Sequence, residues 1–139
     1  MRLLLTDPVR VIADHADIAS LRAEDASGSF GILRGHADLL TVLGVSVVSW
    51  RHQDGRAGYC AVRGGILTVR KGTEIAIATR EGQLGESTEQ LEHGVLTGFL
   101  AATEAERNER VAETRMHLQA VRQIVRILRS GAGTAGLSP

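Results

Sequence analysis

The chain has 139 residues, room for one main hydrophobic core and a small appendage but not for two full domains. Lys plus Arg and Asp plus Glu balance at 16 each, so no net field draws it to nucleic acid or to an anionic membrane, and protein partners or a small ligand are expected instead. A single cysteine excludes an internal disulfide framework and suits a reducing compartment, and no apolar run approaches the ~20 residues of a membrane span.

The start "MRLLLTDPVR" carries too short an apolar run for a signal peptide, so the mature protein is expected to begin at Met1 in the cytosol. Leu3 and Leu5, then Val9 and Val11, show the period of two of half-buried strands, with Asp7-Pro8 as a turn signal between them. The stretch "GSFGILRGHADLLTVL", residues 28–43, is too mixed for a plain strand and too regular in its apolar spacing for a casual loop. Phe30, Ile32 and Leu33 are expected in the core, Gly31 and Gly35 are expected to allow a tight backbone passage, and Arg34, His36 and Asp38 are left at a rim. These glycines are not a phosphate loop, because no Gly-Lys-Ser/Thr follows and no helix opens there. Asp54-Gly55, Gly64-Gly65 and Lys71-Gly72 are further turn signals, and Ile75 and Ile77 alternate with Glu74, Ala76 and Ala78. Many short strands with no helix-period segment between them predict an antiparallel β-sandwich or barrel over residues 1–86.

From Ser87 the period changes. Ser87 with Gln90 fits a capping box. Leu91, Val95, Gly98 and Ala102 then share one helical face with Phe99 beside them, and Val111, Thr114, Leu118, Val121, Val125 and Leu128 form a second stripe that Ile124 and Ile127 widen. The intervening "TEAERNER" has neither Gly nor Pro, so a turn back as a helical hairpin and one long helix both stay open at this point. Gly131 is a stop signal, and the small residues after it are too poor in apolar surface to order themselves. The expected organisation is a β-sandwich over 1–86, a C-terminal α-helical hairpin over 87–130 and a flexible tail over 131–139.

His15, His36, His52, His93, His117 and Cys60 show no ligand spacing such as a helical i, i+4 His pair or Cys-x-x-Cys. No catalytic residue and no metal site is therefore expected. The acids of the helical half lie between Glu89 and Glu113, while Arg115, Arg122, Arg126 and Arg129 follow without any acid. Helix polarity explains Arg126 and Arg129 better than Arg115, and a basic surface for an acidic partner is an equal alternative.

The segment "GSFGILRGHADLL" resembles the "EGxFGxLPGHAPLL" of the epsilon subunit of F-type ATP synthases, called delta in mitochondria. "VRGGILTVRKGTEIAIAT", residues 62–79, looks like that family's "VxGGFLEVxxNxVTVLAD" hairpin, and "TDP" near position 6 resembles its "TP" turn. The resemblance covers nearly the whole chain in order. It implies a non-catalytic central-stalk subunit without a cofactor, peripheral at the cytoplasmic face of the bacterial inner membrane. Ser29, Phe30, Arg34, His36 and Asp38 would face the gamma shaft and the c ring. An extended helix carrying Arg115, Arg122, Arg126 and Arg129 would meet an acidic segment of the beta subunit in the catalytic head and restrain ATP hydrolysis. Arg34 and Asp38 stand where the family has proline, and Ser29 where an acid is common, which implies a changed docking partner and a divergent paralogue from an alternative ion-pumping complex. The family's "DxxRA" nucleotide segment is not visible in "LGESTEQLEHG", so nucleotide binding is not implied. The alternative reading is a free-standing β-sandwich adaptor or a small enzyme.

Overall fold

The computed structural model describes residues 1–137, with side chains described through Arg129. Eight strands form one connected sheet: β1 (Arg2–Thr6), β2 (Val11–His15), β3 (Ile18–Asp25), β4 (Gly28–Leu33), β5 (Leu39–His52), β6 (Ala57–Arg70), β7 (Glu74–Ala78) and β8 (Gly82–Gly85). The order is β2-β1-β7-β6-β5-β3-β4, with β8 added to β6. The sheet is mixed rather than purely antiparallel as expected, because β1 runs parallel to β7 from Arg2 beside Glu74 to Thr6 beside Ala78. These two strands are separated by most of the domain, so no short hairpin dictates an antiparallel pairing.

The 14-residue strands β5 and β6 organise the two layers. The far half of their hairpin, Leu39–Leu43 against Gly65–Val69, continues into β7 and β1, whereas the near half pairs with β3 on one side and β8 on the other. The division falls at Gly64-Gly65, with φ of 74° and 138°. This pair is therefore not the hairpin turn its composition suggests but an interior kink of β6. A Cβ at Gly65 would overlap the carbonyl oxygen of Ala78, so the close approach of β7 requires glycine.

One core joins Leu3 and Leu5 of β1, Leu67 and Val69 of β6 and Ile75 and Ile77 of β7 to Ile18, Leu21, Ile32, Val48, Trp50 and Cys60 of the other layer. Burying each large aliphatic side chain contributes about 1.5–3 kcal/mol before conformational entropy is charged against it. Ile32 lies in this core and Phe30 packs against its margin, but Leu33 faces solvent. Val9 is exposed as well, because the Asp7 carboxylate accepts the Val9 and Arg10 amides at 2.8 and 2.7 Å and turns the chain there.

Ser87 caps the helical region through a bond from the Gln90 amide at 3.1 Å, and the Gln90 side chain accepts the Glu86 amide at 2.8 Å. A short α1 (Thr88–Gln90) leads through a π-helical stretch, Leu91–Leu96, into α2 (Thr97–Leu137). Buried Leu91 and Phe99 pack with Ala61, Val45, Val47 and Tyr59 on the outer face of β5 and β6. The compact unit accordingly runs from Met1 to Ala101, past the expected boundary at residue 86, and a second unit begins at Ala102.

The expected hairpin is instead a single helix. Residues 103–110 are mostly strong helix formers, and the two weaker ones, Thr103 and Asn108, each cost well under ~1 kcal/mol relative to alanine. The α2 backbone continues through Gly131 to Leu137 rather than stopping after Ser130. For the rest of the expected 131–139 tail, Ser138 and Pro139 lie outside the described residues. Among the described residues, no helix is long and apolar enough to cross a membrane.

Candidate functional site

The loop between β4 and β5 is held by the turn between β6 and β7. Gly35, at φ 88°, donates its amide to the Gly72 carbonyl at 2.9 Å. Gly72 has φ 65°, and a Cβ there would lie 2.7 Å from the Gly35 Cα, so the close approach of the two backbones excludes a side chain at Gly72, while Gly35 is favoured by its left-handed φ alone. The Asp38 carboxylate accepts the Lys71 amide at 3.0 Å, supporting that residue's left-handed φ of 57°. The His36 amide bonds the Leu33 carbonyl at 3.1 Å, and its Nδ1 lies 2.7 Å from the Ala37 carbonyl oxygen. Arg34 projects from this braced loop into solvent. Asp38 thus has a structural task that its expected rim position does not suggest. Gly31, expected to permit a tight passage, has only the Leu21 carbonyl oxygen near a would-be Cβ, at 3.9 Å.

Ser29 stands apart from this loop. It lies at the opposite end of β4, paired with Glu24, and at about 3.3 Å per residue it is roughly 16 Å from Arg34. It lines a cleft of about 250 Å³ with Arg22, Glu24, Ser49 and Glu92. The five expected docking residues therefore divide into a braced loop, a core-margin phenylalanine and a distant serine.

Beside the loop lies a surface that sequence reading did not single out. Leu4, Ala76, Thr68 and Leu40 stand side by side across β1, β7, β6 and β5, and Thr6, Ala78, Ile66 and Val42 form the next row on the same face. Leu40 and Val42 are 70% and 66% exposed, on a face that nothing within the Met1–Ala101 unit covers. The neighbouring row is charged, with Arg2, Glu74 and Arg70 in register, and Asp38 precedes the first residue of β5. Arg2 is gripped by Asp14 through two bonds of 3.1 Å, which hold the Asp14 carboxyl below the usual carboxylate range and push the guanidinium up. Apolar and charged rows together border a shallow groove of about 760 Å³ lined by Leu4, Leu40, Asp38, Arg70 and Glu74. The signal was present in "DLLTVL": Leu39 and Leu43 share one parity and Leu40 and Val42 the other, so this strand is apolar on both faces.

Arg115, Arg122, Arg126 and Arg129 are all exposed on α2. At 3.6 residues per turn they fall within roughly 60° of arc, with Val111, Leu118 and Val125 at its margin. All three apolar neighbours are exposed too.

A family model described as the β-sandwich domain of the ATP synthase delta/epsilon chain matches residues 1–85. The chain is 45% identical over 135 residues to the ATP synthase epsilon chain 2 of Paraburkholderia xenovorans, covering 97% of each protein. It is 39% identical over 133 residues to the ATP synthase epsilon chain 2 of Cereibacter sphaeroides, covering 96% of this chain and 91% of that one. Among solved structures, it is similar to a chain of the Euglena gracilis mitochondrial ATP synthase with OSCP, F1 and c ring, at a TM-score of 0.57 and 22% identity, covering 66% of this chain and 58% of that chain. A chain of the Tetrahymena thermophila mitochondrial ATP synthase central stalk and c ring gives 0.52 and 20%, covering 78% and 90%. At these identities the two structures show a shared fold.

Proposed function

The chain belongs to the ATP synthase delta/epsilon family, as a non-catalytic subunit of the rotary central stalk, and we propose how its surfaces couple the gamma shaft to the c ring. The uncovered apolar rows around Leu40, Val42 and Ile66 seat on gamma, where burial supplies most of the affinity and the charged row beside them sets register. The Arg34–Asp38 loop meets the c ring. Its Gly35–Gly72 brace suits a part that transmits torque, since a load applied at Arg34 passes directly into the β6–β7 turn. Arg34 and Asp38, standing where the family motif has proline, fit a loop specialised for the complex of a divergent paralogue. The exposed arginine stripe of α2 supports the second element of the reading, a contact with an acidic segment of the beta subunit that restrains hydrolysis. The subunit works at the membrane periphery, on the cytoplasmic face of a bacterial inner membrane, through its complex.

The observation that carries this reading is the bare apolar face. Leu40→Ser with Val42→Ser should leave the isolated subunit's stability within about 0.5 kcal/mol per substitution, because both side chains already face water. Copurification with gamma and the catalytic head should be lost. Arg34→Glu, which spares the Asp38 bond to Lys71, should release the c ring while gamma stays bound. Normal assembly of the Leu40/Val42 variant would overturn the assignment of this face.

A further inference from the structure

His15 closes β2, Asp17 stands in the turn to β3, and His52 closes β5. Their chain spacing follows no ligand pattern, yet the fold brings one donor atom of each within 4.8 Å of the others. The positions are pinned from three directions. His15 pairs with Leu3, Ile18 pairs with His52, and the Gln53 amide bonds the Asp17 carbonyl at 2.8 Å. His52 is 6% exposed, its Nδ1 lies 2.9 Å from Asp17 Oδ1, and its ring meets that of His15 edge-on at 4.7 Å between centroids.

We propose that His15, Asp17 and His52 form a binding site for a transition-metal dication of the zinc class, with a fourth position open to water. Two imidazole nitrogens and one carboxylate oxygen are a zinc donor set, and three protein ligands plus a solvent position is a coordination that zinc accepts. Bonds of about 2.0–2.1 Å in a tetrahedron place ligand atoms roughly 3.3 Å apart, so the partly exposed His15 and Asp17 close by side-chain rotation onto the fixed His52. Coordination at His52 Nδ1 takes the tautomer that carries its proton on Nε2, and an imidazolium releases one proton to solvent on binding.

The surrounding charges permit this. Arg56 approaches the other carboxylate oxygen of Asp17 at 3.7 Å while its Nε is held by Asp54 at 2.6 Å, which leaves Asp17 Oδ1 for the metal. Asp14 lies on the His15 side with its charge matched by its ion pair with Arg2. A bound ion would tie the β2–β3 turn to the end of β5, closing one end of the sandwich. The sole tryptophan, Trp50, is 4% exposed with its ring centroid 6.0 Å from that of His15, and its Nε1 has no hydrogen-bond partner among the described residues. It reports on the site directly.

The test titrates zinc chloride into the full-length, tag-free chain at pH 7.5, with calorimetry and Trp50 fluorescence as readouts. One zinc per chain should bind, with a rise in melting temperature and a change in fluorescence. His15→Ala and Asp17→Asn, both at partly exposed positions, should each weaken binding at least tenfold while melting cooperatively. His117→Ala, on α2, should change nothing. Binding should also weaken at least tenfold by pH 5.5, below the ordinary histidine range. Zinc binding that survives both site variants, or a wild type that binds no tighter than His15→Ala, would overturn the proposal.

Discussion

At the scale of single residues, Asp25 shows how a polar side chain orders the fold. Its carboxylate accepts the Ser27 hydroxyl and amide and, at 2.7 Å, the Thr41 hydroxyl, tying the β3–β4 turn to β5. The Ser27 hydroxyl bond, followed by that from Thr41, holds the Asp25 carboxyl below the usual range. A depressed carboxylate contributes stability that is complete above its unfolded value of about 3.9 and is lost as pH falls through the folded value. Urea midpoints measured between pH 6 and pH 3 should therefore fall less for Asp25→Asn than for wild type, and equal losses would show that these bonds do not couple to folding. Cys60 is the opposite case: burial pushes its thiol up to about 11, so it stays neutral and enclosed at physiological pH. A thiol reagent at pH 8 should label it only after denaturant is added.

At the scale of elements, the helical region has two unlike parts. Leu91 and Phe99 are 1% and 6% exposed against Ala61 and its neighbours, so Phe99→Ala should cost about 3 kcal/mol, read as a drop of roughly 10 °C or more in the melting temperature of the β unit. The arginine stripe of α2 buries nothing, so Arg115→Ala with Arg122→Ala should leave melting unchanged. In the assembled complex the same pair should raise ATP hydrolysis, and the wild-type restraint should weaken with added salt, as exposed charge pairs do. Equal hydrolysis rates would mean that the arginines merely follow the helix dipole.

At the scale of the whole molecule, the point at which the chain is cut separates packing from function. A protein ending at Ala101 keeps every buried contact of the first compact unit and should melt like the full chain. One ending at Gly85 uncovers Ala61, Val45, Val47 and Tyr59, and should fold with a lower melting temperature because its main core is intact. Both truncations should raise hydrolysis by the complex while leaving coupling in place, since the braced loop and the apolar face lie wholly within residues 1–85. Loss of coupling in the Ala101 truncation would place a coupling contact on α2.

Local periodicity determined by itself what depends on neighbours in the chain: the strands around Leu3–Leu5 and Ile75–Ile77, the Ser87 cap and the change to helix near residue 86. The two motifs of residues 28–43 and 62–79 pointed to the family, because they record turn and core demands peculiar to one fold. Tertiary structure alone decided the parallel pairing of β1 with β7, the Gly64-Gly65 kink and the meeting of Gly35 with Gly72, since each is set by backbones distant in the chain. The same holds for the site. Arg34 was legible as a rim residue, but the rows around Leu40 and Ile66 become a surface only when four strands lie in register. His15, Asp17 and His52 meet only because β2, β3 and β5 end at one place. Sequence spacing encodes the periods of single elements, whereas register and the convergence of strand ends come from packing both layers on one core.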